Sequence, residues 1–345
     1  MLESNARHGP AGATAVEVTA EPVLADDAAP AESSPRRAVR ARRRGSRGSG
    51  VSLWLMALPG LALLFVFAYI PMAGIVIAFQ SYSAVGGVFA SPWVGLQNFA
   101  YLFSTSDAWR ITFNTVFMNS LFIAANLVLA LTIAIVLNEL RGRWAWLSKF
   151  YQSVLFLPHF FSYVIVAYFA LAFLDPQTGL LNKVLGFFGA APVEWYSTPG
   201  AWPVILTVVS VWKGVGFWVI VYTAGILAIS PELYEAAEVD RASKWQQVRH
   251  ITLPSLTPLV ILNVLLSVGG IFRADFGLFY LVTNNSATIY STTDVIDTYV
   301  FRSLVNLGDI GMSSAAGVYQ SIVGFVLILI ANWLVRRRHA DQALF

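Results

Sequence analysis

Six stretches of this chain are too apolar and too long for the helices of a soluble core, and they constrain the fold before any other residue is considered. They run at about 53–79, 112–138, 150–174, 202–229, 256–282 and 314–335. Each reaches the roughly 20 residues that carry a helix across a bilayer. Inside lipid every backbone polar group must find its partner within the segment, so such stretches are helices. Composition agrees: 57% of residues are hydrophobic and 12% charged, against roughly 45–50% and about 25% in soluble domains. The first stretch exceeds a signal-peptide core and lacks a small-residue cleavage site, so it reads as a retained span. The fifth is interrupted by Arg273 and Asp275 after Gly269-Gly270. The expected class is an all-α integral membrane protein, with a six-helix transmembrane domain over 51–345.

Residues 1–50 read as a disordered tail, rich in Ala, Pro, Ser and charge and without the periodicity that buries a core. Its basic cluster, Arg36, Arg37, Arg40, Arg42, Arg43, Arg44 and Arg47, directly precedes a hydrophobic span. That placement holds a chain end in the cytoplasm rather than marking a nucleic-acid partner. With both termini inside, Arg141, Arg143, Lys149, Arg241, Lys244, Arg249 and Arg336 to Arg338 join the cluster on the cytoplasmic side, sixteen basic residues in all. The external loops hold three, Arg110, Lys183 and Arg302. The positive-inside rule therefore predicts a multi-pass protein of the cell membrane with both termini cytoplasmic.

The segment 230–254 then faces the cytoplasm, a charged island between two spans and too short to build its own core. Ser230 suits an N-cap, Pro231 the first helical position, and Glu232 the positive end of the helix dipole. Leu233, Ala236, Ala237 and Asp240 fall on one face at i, i+3, i+4, i+7 spacing. The two alanines leave room for a partner's backbone. Pairs Glu238–Arg241 and Asp240–Lys244 are expected. A second short helix is expected from Lys244 to Thr252, presenting Trp245, Val248 and Thr252 together and ended by Pro254.

Glu235-Ala236-Ala237 followed by Ile251-x-Leu253-Pro254 resembles the EAA motif of membrane subunits of binding-protein-dependent ABC importers. The likeness extends to Pro71-Met72-x-Gly74, Trp93-Val94-Gly95-Leu96-x-Asn98-Phe99, Leu157-Pro158-His159-Phe160 and Asp297-Thr298-Tyr299-Val300. Together these resemble the carbohydrate permease branch that serves oligosaccharides and polysaccharide fragments. The resemblance implies a permease subunit, itself no enzyme, that pairs with a second permease and receives solute from an extracytoplasmic binding protein. It implies that Glu235, Ala236, Ala237, Asp240, Arg241, Ile251, Leu253 and Pro254 form the coupling element for two separate ATP-binding subunits, which use ATP-Mg. Where the motif has glycine this chain has Arg241. Glycine allows positive φ and arginine tolerates it poorly, so a differently shaped turn, or one shifted toward Ala242-Ser243, is expected.

Ionisable groups inside spans are costly and face cavities, partners or the interface. Lys213, near Gly214 and Gly216, reads either as a pathway charge or as a packing anchor. Arg273 and Asp275 share a surface only if the helix breaks after Gly269-Gly270. His159 after Pro158 reads as a hydrogen-bonded histidine at a kink or as a proton relay. Tyr163, Trp212, Trp218 and Asn263, with Asn119 and Asn126, suit stacking on sugar faces and bonding to hydroxyls, or interhelical bonds and aromatic belts. The translocation path is therefore assigned to Tyr163, Trp212, Lys213, Trp218, Asn263, Arg273 and Asp275.

Cysteine is absent, which excludes disulfides and thiolate chemistry. No G-x-x-x-x-G-K-[ST] phosphate loop, H-E-x-x-H or G-x-S-x-G occurs, and His8, His159, His250 and His339 suggest no common site. ATP hydrolysis by this chain, a bound cofactor or metal, and an intramembrane enzyme are not expected. A permease for a non-sugar solute and a secondary transporter are the alternatives. The latter wants midplane carboxylates, of which the spans contain only Asp275.

Overall fold

The computed structural model describes residues 47–338. The expected tail, apart from its last few residues, and all of its basic cluster except Arg47 lie outside the described residues. The chain divides into two units, residues 1–58 and 59–345. Of the first, the structure describes the opening turns of the helix Arg47–Leu64. Among the described residues there is no strand, and the isolated bridge Gln80–Trp93 is the sole extended pairing.

Five helices have the length and hydropathy to cross a membrane: Ser52–Phe79, Ser106–Leu140, Pro199–Leu227, Lys244–Gly269 and Ile310–Arg337. A sixth crossing arises if the bent pair Trp144–Phe160 and Tyr163–Leu174 counts as one. In chain order these are called spans one to six, the bent pair being the third. The second begins earlier than its apolar stretch because Asp107 favours a helix N-terminus and the first turn can stand outside lipid. Trp144 leaves helical geometry at φ −134°, ψ 51°, turning the chain from span two into span three. Ser148 closes this turn by donating its hydroxyl to Leu137 O at 2.9 Å.

Span three, expected over 150–174 with a kink at Pro158-His159, is sharply bent there. Its two halves meet at 101°. Pro158 lies in a 3₁₀ turn, Leu157–Phe160, and Phe161 and Ser162 are extended. Proline removes a helical donor and crowds the preceding turn, so the break falls here. Ser162 Oγ then caps the second half by accepting from Ile165 N.

Span five breaks at the Gly269-Gly270 pair that the sequence singled out, short of its expected bound. Its helix stops at Gly269 instead of continuing to 282. Two successive glycines favour termination, and a continuous helix would carry Arg273 and Asp275 through hydrocarbon. The chain turns at Gly270, with Arg273 N donating to Gly270 O at 2.8 Å. A short π-helix, Leu278–Val282, then packs against Tyr163–Leu174 and buries Leu278, Phe279 and Val282.

The second and fourth spans pack along one another most extensively. Their joint core includes Ala130, Ala134, Leu137, Val215, Val219 and Tyr222. The close approach of span four to span three needs Gly216: a Cβ there would stand 2.5 Å from Leu155 C and 2.8 Å from Phe156 Cα. A second core joins Met118, Phe122, Trp202, Leu206 and Phe279. After span one, the loop returns through Val94 N to Phe79 O and Ser81 N to Pro92 O, each at 2.9 Å. Gly95 takes φ +62° there, and Asn98 Nδ2 donates to the end-of-helix carbonyls Ala78 O and Gln80 O.

Candidate functional site

The island between spans four and five is built as a helix, a left-handed turn and a second helix. Pro231–Val239 forms the first helix, with Pro231 and Glu232 in its first turn. Ser230 occupies the N-cap position, but its side chain makes no capping bond. At the other end Asp240 is the C-cap and Arg241 takes φ +56°. Arg241 N donates to Glu238 O at 3.0 Å and Ala242 N to Ala237 O at 2.8 Å. These two bonds constitute a Schellman motif, whose C′ residue must be left-handed. The turn is therefore neither reshaped nor shifted: Arg241 adopts the conformation that glycine would supply.

Ser243 begins the second helix with a capping box. Its hydroxyl accepts from Gln246 N, and Gln246 Oε1 accepts from Ser243 N. That helix does not end at Pro254. Lys244–Gln247 runs into a π-turn, Val248–Thr252, and on into Leu253–Gly269. The wider π-turn, with Leu253 N reaching Val248 O, accommodates the missing N–H and the ring of Pro254. Leu253 stays helical at φ −63°, ψ −44° despite preceding proline.

Side-chain pairing on the island also differs from expectation. Lys244 Nζ reaches Glu238 Oε1 at 3.1 Å, in place of the pairs Glu238–Arg241 and Asp240–Lys244. Both partners are exposed, so this bond contributes roughly 0.2–1 kcal/mol. Trp245 is not grouped with Val248 and Thr252: it is 69% exposed while they are buried. Tyr234 Oη meets Thr252 Oγ1 at 2.9 Å and ties the first helix to the second, a link no sequence pattern announced.

What remains uncovered is a continuous outward surface. Leu233 is 51% exposed and Val239 83%. Glu235, Ala236 and Asp240 are exposed, Ala237 and Ile251 half-buried, and Leu253 and Pro254 exposed. The carboxylates of Glu235 and Asp240 form no ion pair among the described residues.

The second assembly is a cavity of about 400 Å³, where the breaks in spans three and five meet span four. It gathers Tyr163, Lys213, Trp218, Asn263, Arg273 and Asp275, six of the seven path residues named from sequence. Trp212 is not among them. It packs against Phe161 and Phe169, since one step along a helix turns a side chain about 100° away from Lys213. Lys213 Nζ donates to His159 O at 2.9 Å and lies 4.9 Å over the Tyr163 ring. It thereby serves a carbonyl set free by the break. The His159 imidazole stacks between Phe156 and Phe217.

Tyr163 Oη donates to Asp275 Oδ2 at 2.6 Å, joining the two breaks across the cavity. Gly277 makes this possible, because a Cβ there would stand 2.5 Å from the Tyr163 ring. Asn119 Nδ2 donates to Ile271 O, and Asn263 Nδ2 to Tyr222 Oη, so these amides both line the cavity and bond between helices.

A neighbouring cavity of about 620 Å³ shares Gly270 and Arg273 with the first and adds Asp297 and Gln320. Asp297 Oδ2 accepts from Ala274 N at 2.8 Å, and Gln320 Nε2 donates to both Asp297 oxygens and to Phe272 O. Burial raises the Asp297 carboxyl above its ordinary range, and the bonds from Ala274 and Gln320 oppose that. Sequence quoted Asp297 within a motif but assigned it no part. Its partners Ala274 and Gln320 each lie twenty-three residues away, beyond any local pattern.

Comparison with known proteins closes the case for the family. Residues 127–340 match the family described as "Binding-protein-dependent transport system inner membrane component". The polygalacturonan/rhamnogalacturonan transport system permease protein YteP of Bacillus subtilis (strain 168) is 34% identical over 285 residues, 83% of this chain and 88% of the relative. The trehalose/maltose transport system permease protein MalF of Thermococcus litoralis is 31% identical, over 80% and 89%. A chain in the crystal structure of a bacterial ABC transporter involved in the import of the acidic polysaccharide alginate superposes with TM-score 0.77 at 32% identity, over 85% and 97%. A second structure of such a transporter, with its periplasmic protein bound to alginate pentasaccharide, gives TM-score 0.76. A bent third span, an EAA-type island running straight into the fifth, and these likenesses agree: the chain belongs to the inner membrane components of binding-protein-dependent transport systems, a family of multi-pass transport permeases and not of enzymes.

Proposed function

We propose that this chain is one of two permease subunits of an ATP-driven saccharide importer, and that its island couples ATP hydrolysis on separate subunits to movement around the central cavity. The observation that carries this is mechanical continuity. The island's second helix and span five are one helix of 26 residues, Lys244–Gly269. At about 1.5 Å per residue it reaches roughly 39 Å. Its cytoplasmic end presents Trp245, and its other end stops at Gly269, which lines the neighbouring cavity, one residue before Gly270, which lines both. A displacement imposed on the island is therefore delivered to the cavity by a rod and not by a flexible loop.

The exposed face of Leu233, Ala236, Val239 and Trp245 is apolar enough to dock in a groove of an ATPase, with Glu235 and Asp240 free to pair with its cations. The basic-residue bias supports a cytoplasmic location for this face and for both termini. Span six has little of its surface buried within this chain, which suits lipid on one side and a second permease on the other. Relatives named for polygalacturonan/rhamnogalacturonan, trehalose/maltose and alginate support a saccharide as solute, delivered by an extracytoplasmic binding protein.

The test is ATP-driven uptake by the reconstituted complex with Glu235→Lys and Asp240→Lys variants. Both variants are expected to insert normally and to lose uptake, through loss of ATPase attachment or of coupling. Normal uptake by both variants would refute the docking role.

A further inference from the structure

We propose that the solute carries carboxylates, and that Arg273, seconded by Lys213, receives them. This deepens the saccharide reading above and rests on it: the ligand class is an acidic, uronate-type oligosaccharide and not a neutral one.

The argument is an inventory of donors. Two cations and two carboxylates stand in or beside the paired cavities. Both carboxylates are already served. Asp275 accepts from the Tyr163 hydroxyl at 2.6 Å and from Leu278 N at 3.4 Å. Asp297 accepts from Ala274 N and from the Gln320 amide. The cations are not. Lys213 spends one of its three donors on His159 O. The Arg273 guanidinium makes no hydrogen bond or ion pair among the described residues, although it is close enough to Asp297 to lower that residue's pKa by charge. Its five donors form a planar fork matched to a carboxylate.

Arg273 lines both cavities, on the turn that follows the end of span five. A ligand moving between them passes it. The surrounding groups suit a sugar ring. Asn126 Oδ1 is buried on the cavity wall without a hydrogen-bond partner and can accept from a hydroxyl. Trp218 offers an indole face. The Arg273 side chain is exposed, so a ligand in either cavity can reach it.

The experiment measures equilibrium binding to the intact complex in nanodiscs, without its binding protein, by saturation-transfer NMR. The probes are a uronate tetrasaccharide and its carboxyl-reduced counterpart, identical in rings and linkages. A charge-assisted bidentate contact predicts roughly tenfold tighter binding of the acidic form or more. Arg273→Gln should abolish the difference, Arg273→Lys keep part of it, and Lys213→Gln reduce it several-fold. Equal binding of the two forms, or a preference that survives Arg273→Gln, overturns the proposal. So does a loss of both forms together in Arg273→Gln, which would assign Arg273 to a carboxylate of the second permease. Import of a panel of saccharide-loaded binding proteins is scored in parallel. If neutral saccharides are imported while the cavity shows no acidic preference, only this proposal falls; if no saccharide is imported, the saccharide reading falls with it.

Discussion

Arg241 offers the sharpest test of the structure, because a charged residue there performs a glycine's task. At φ +56° its Cβ crowds the backbone, at a cost of roughly 1–2 kcal/mol for a residue other than glycine. Arg241→Gly removes that strain and leaves both Schellman bonds, Arg241 N to Glu238 O and Ala242 N to Ala237 O, unchanged in donor and acceptor. Glycine's greater freedom in the open loop returns about 0.5–1 kcal/mol. The expected net gain is about 0.5–1 kcal/mol, a roughly two- to fivefold slowing of local opening. Hydrogen exchange of the amides at 241 and 242, followed by mass spectrometry on the complex in nanodiscs, reads this directly. Arg241→Ala controls for the lost charge and should give no slowing, since alanine keeps the Cβ. Arg241→Val, β-branched, should accelerate exchange roughly tenfold. If glycine slowed nothing, or if the valine variant exchanged like wild type, the left-handed turn at Arg241 would be wrong.

Three further outcomes are expected. Gly216→Ala pushes a methyl group into the Leu155–Phe156 backbone, so it should lower stability by about 1–3 kcal/mol in a thermal-unfolding assay. Gly214→Ala, whose nearest neighbour is the Asn126 side chain at 3.3 Å, should cost clearly less. Asp297→Ala strands Ala274 N and the Gln320 amide and should cost about 1–3 kcal/mol. Asp297→Asn keeps an acceptor and removes a charge that is buried with difficulty. Because the folded state holds the Asp297 proton more tightly than the unfolded chain, wild-type stability from this group is fullest below its ordinary value of 3.8 and declines as pH rises through the raised folded value. The Asn variant should therefore match or exceed wild type at neutral pH, and its relative advantage should shrink on acidification. Tyr234→Phe removes the bond to Thr252 and should speed amide exchange across 248–252 about fivefold, with no change in global unfolding temperature.

The segments that hydropathy marked became helices because the rule behind it is strict: in lipid an apolar run has no other way to satisfy its backbone. The island was legible for a different reason. Its proline and its first-turn glutamate act within one turn, so sequence spacing reports where the first helix begins. Errors arose where that locality failed. Pro254 was expected to stop a helix, yet a π-turn five residues long let the helix continue. Glu238 was assigned a partner three residues away and found Lys244 six residues on, across a turn whose shape no spacing encodes. Trp212 was grouped with Lys213 although adjacent helical residues point about 100° apart.

Apolarity, charge bias and the EAA spacing were enough to name an all-α membrane permease and to single out 230–254, because each is read along the chain without knowing which segments touch. The cavity was not accessible in that way. Its residues come from four separate spans and from the breaks after Phe160 and Gly269, and Tyr163 meets Asp275 across 112 positions of sequence. Which polar side chains face one another is set by helix rotation and by the depth of glycine contacts such as Gly216 and Gly277. Those are outcomes of packing whole helices together, and no stretch of the chain carries them alone.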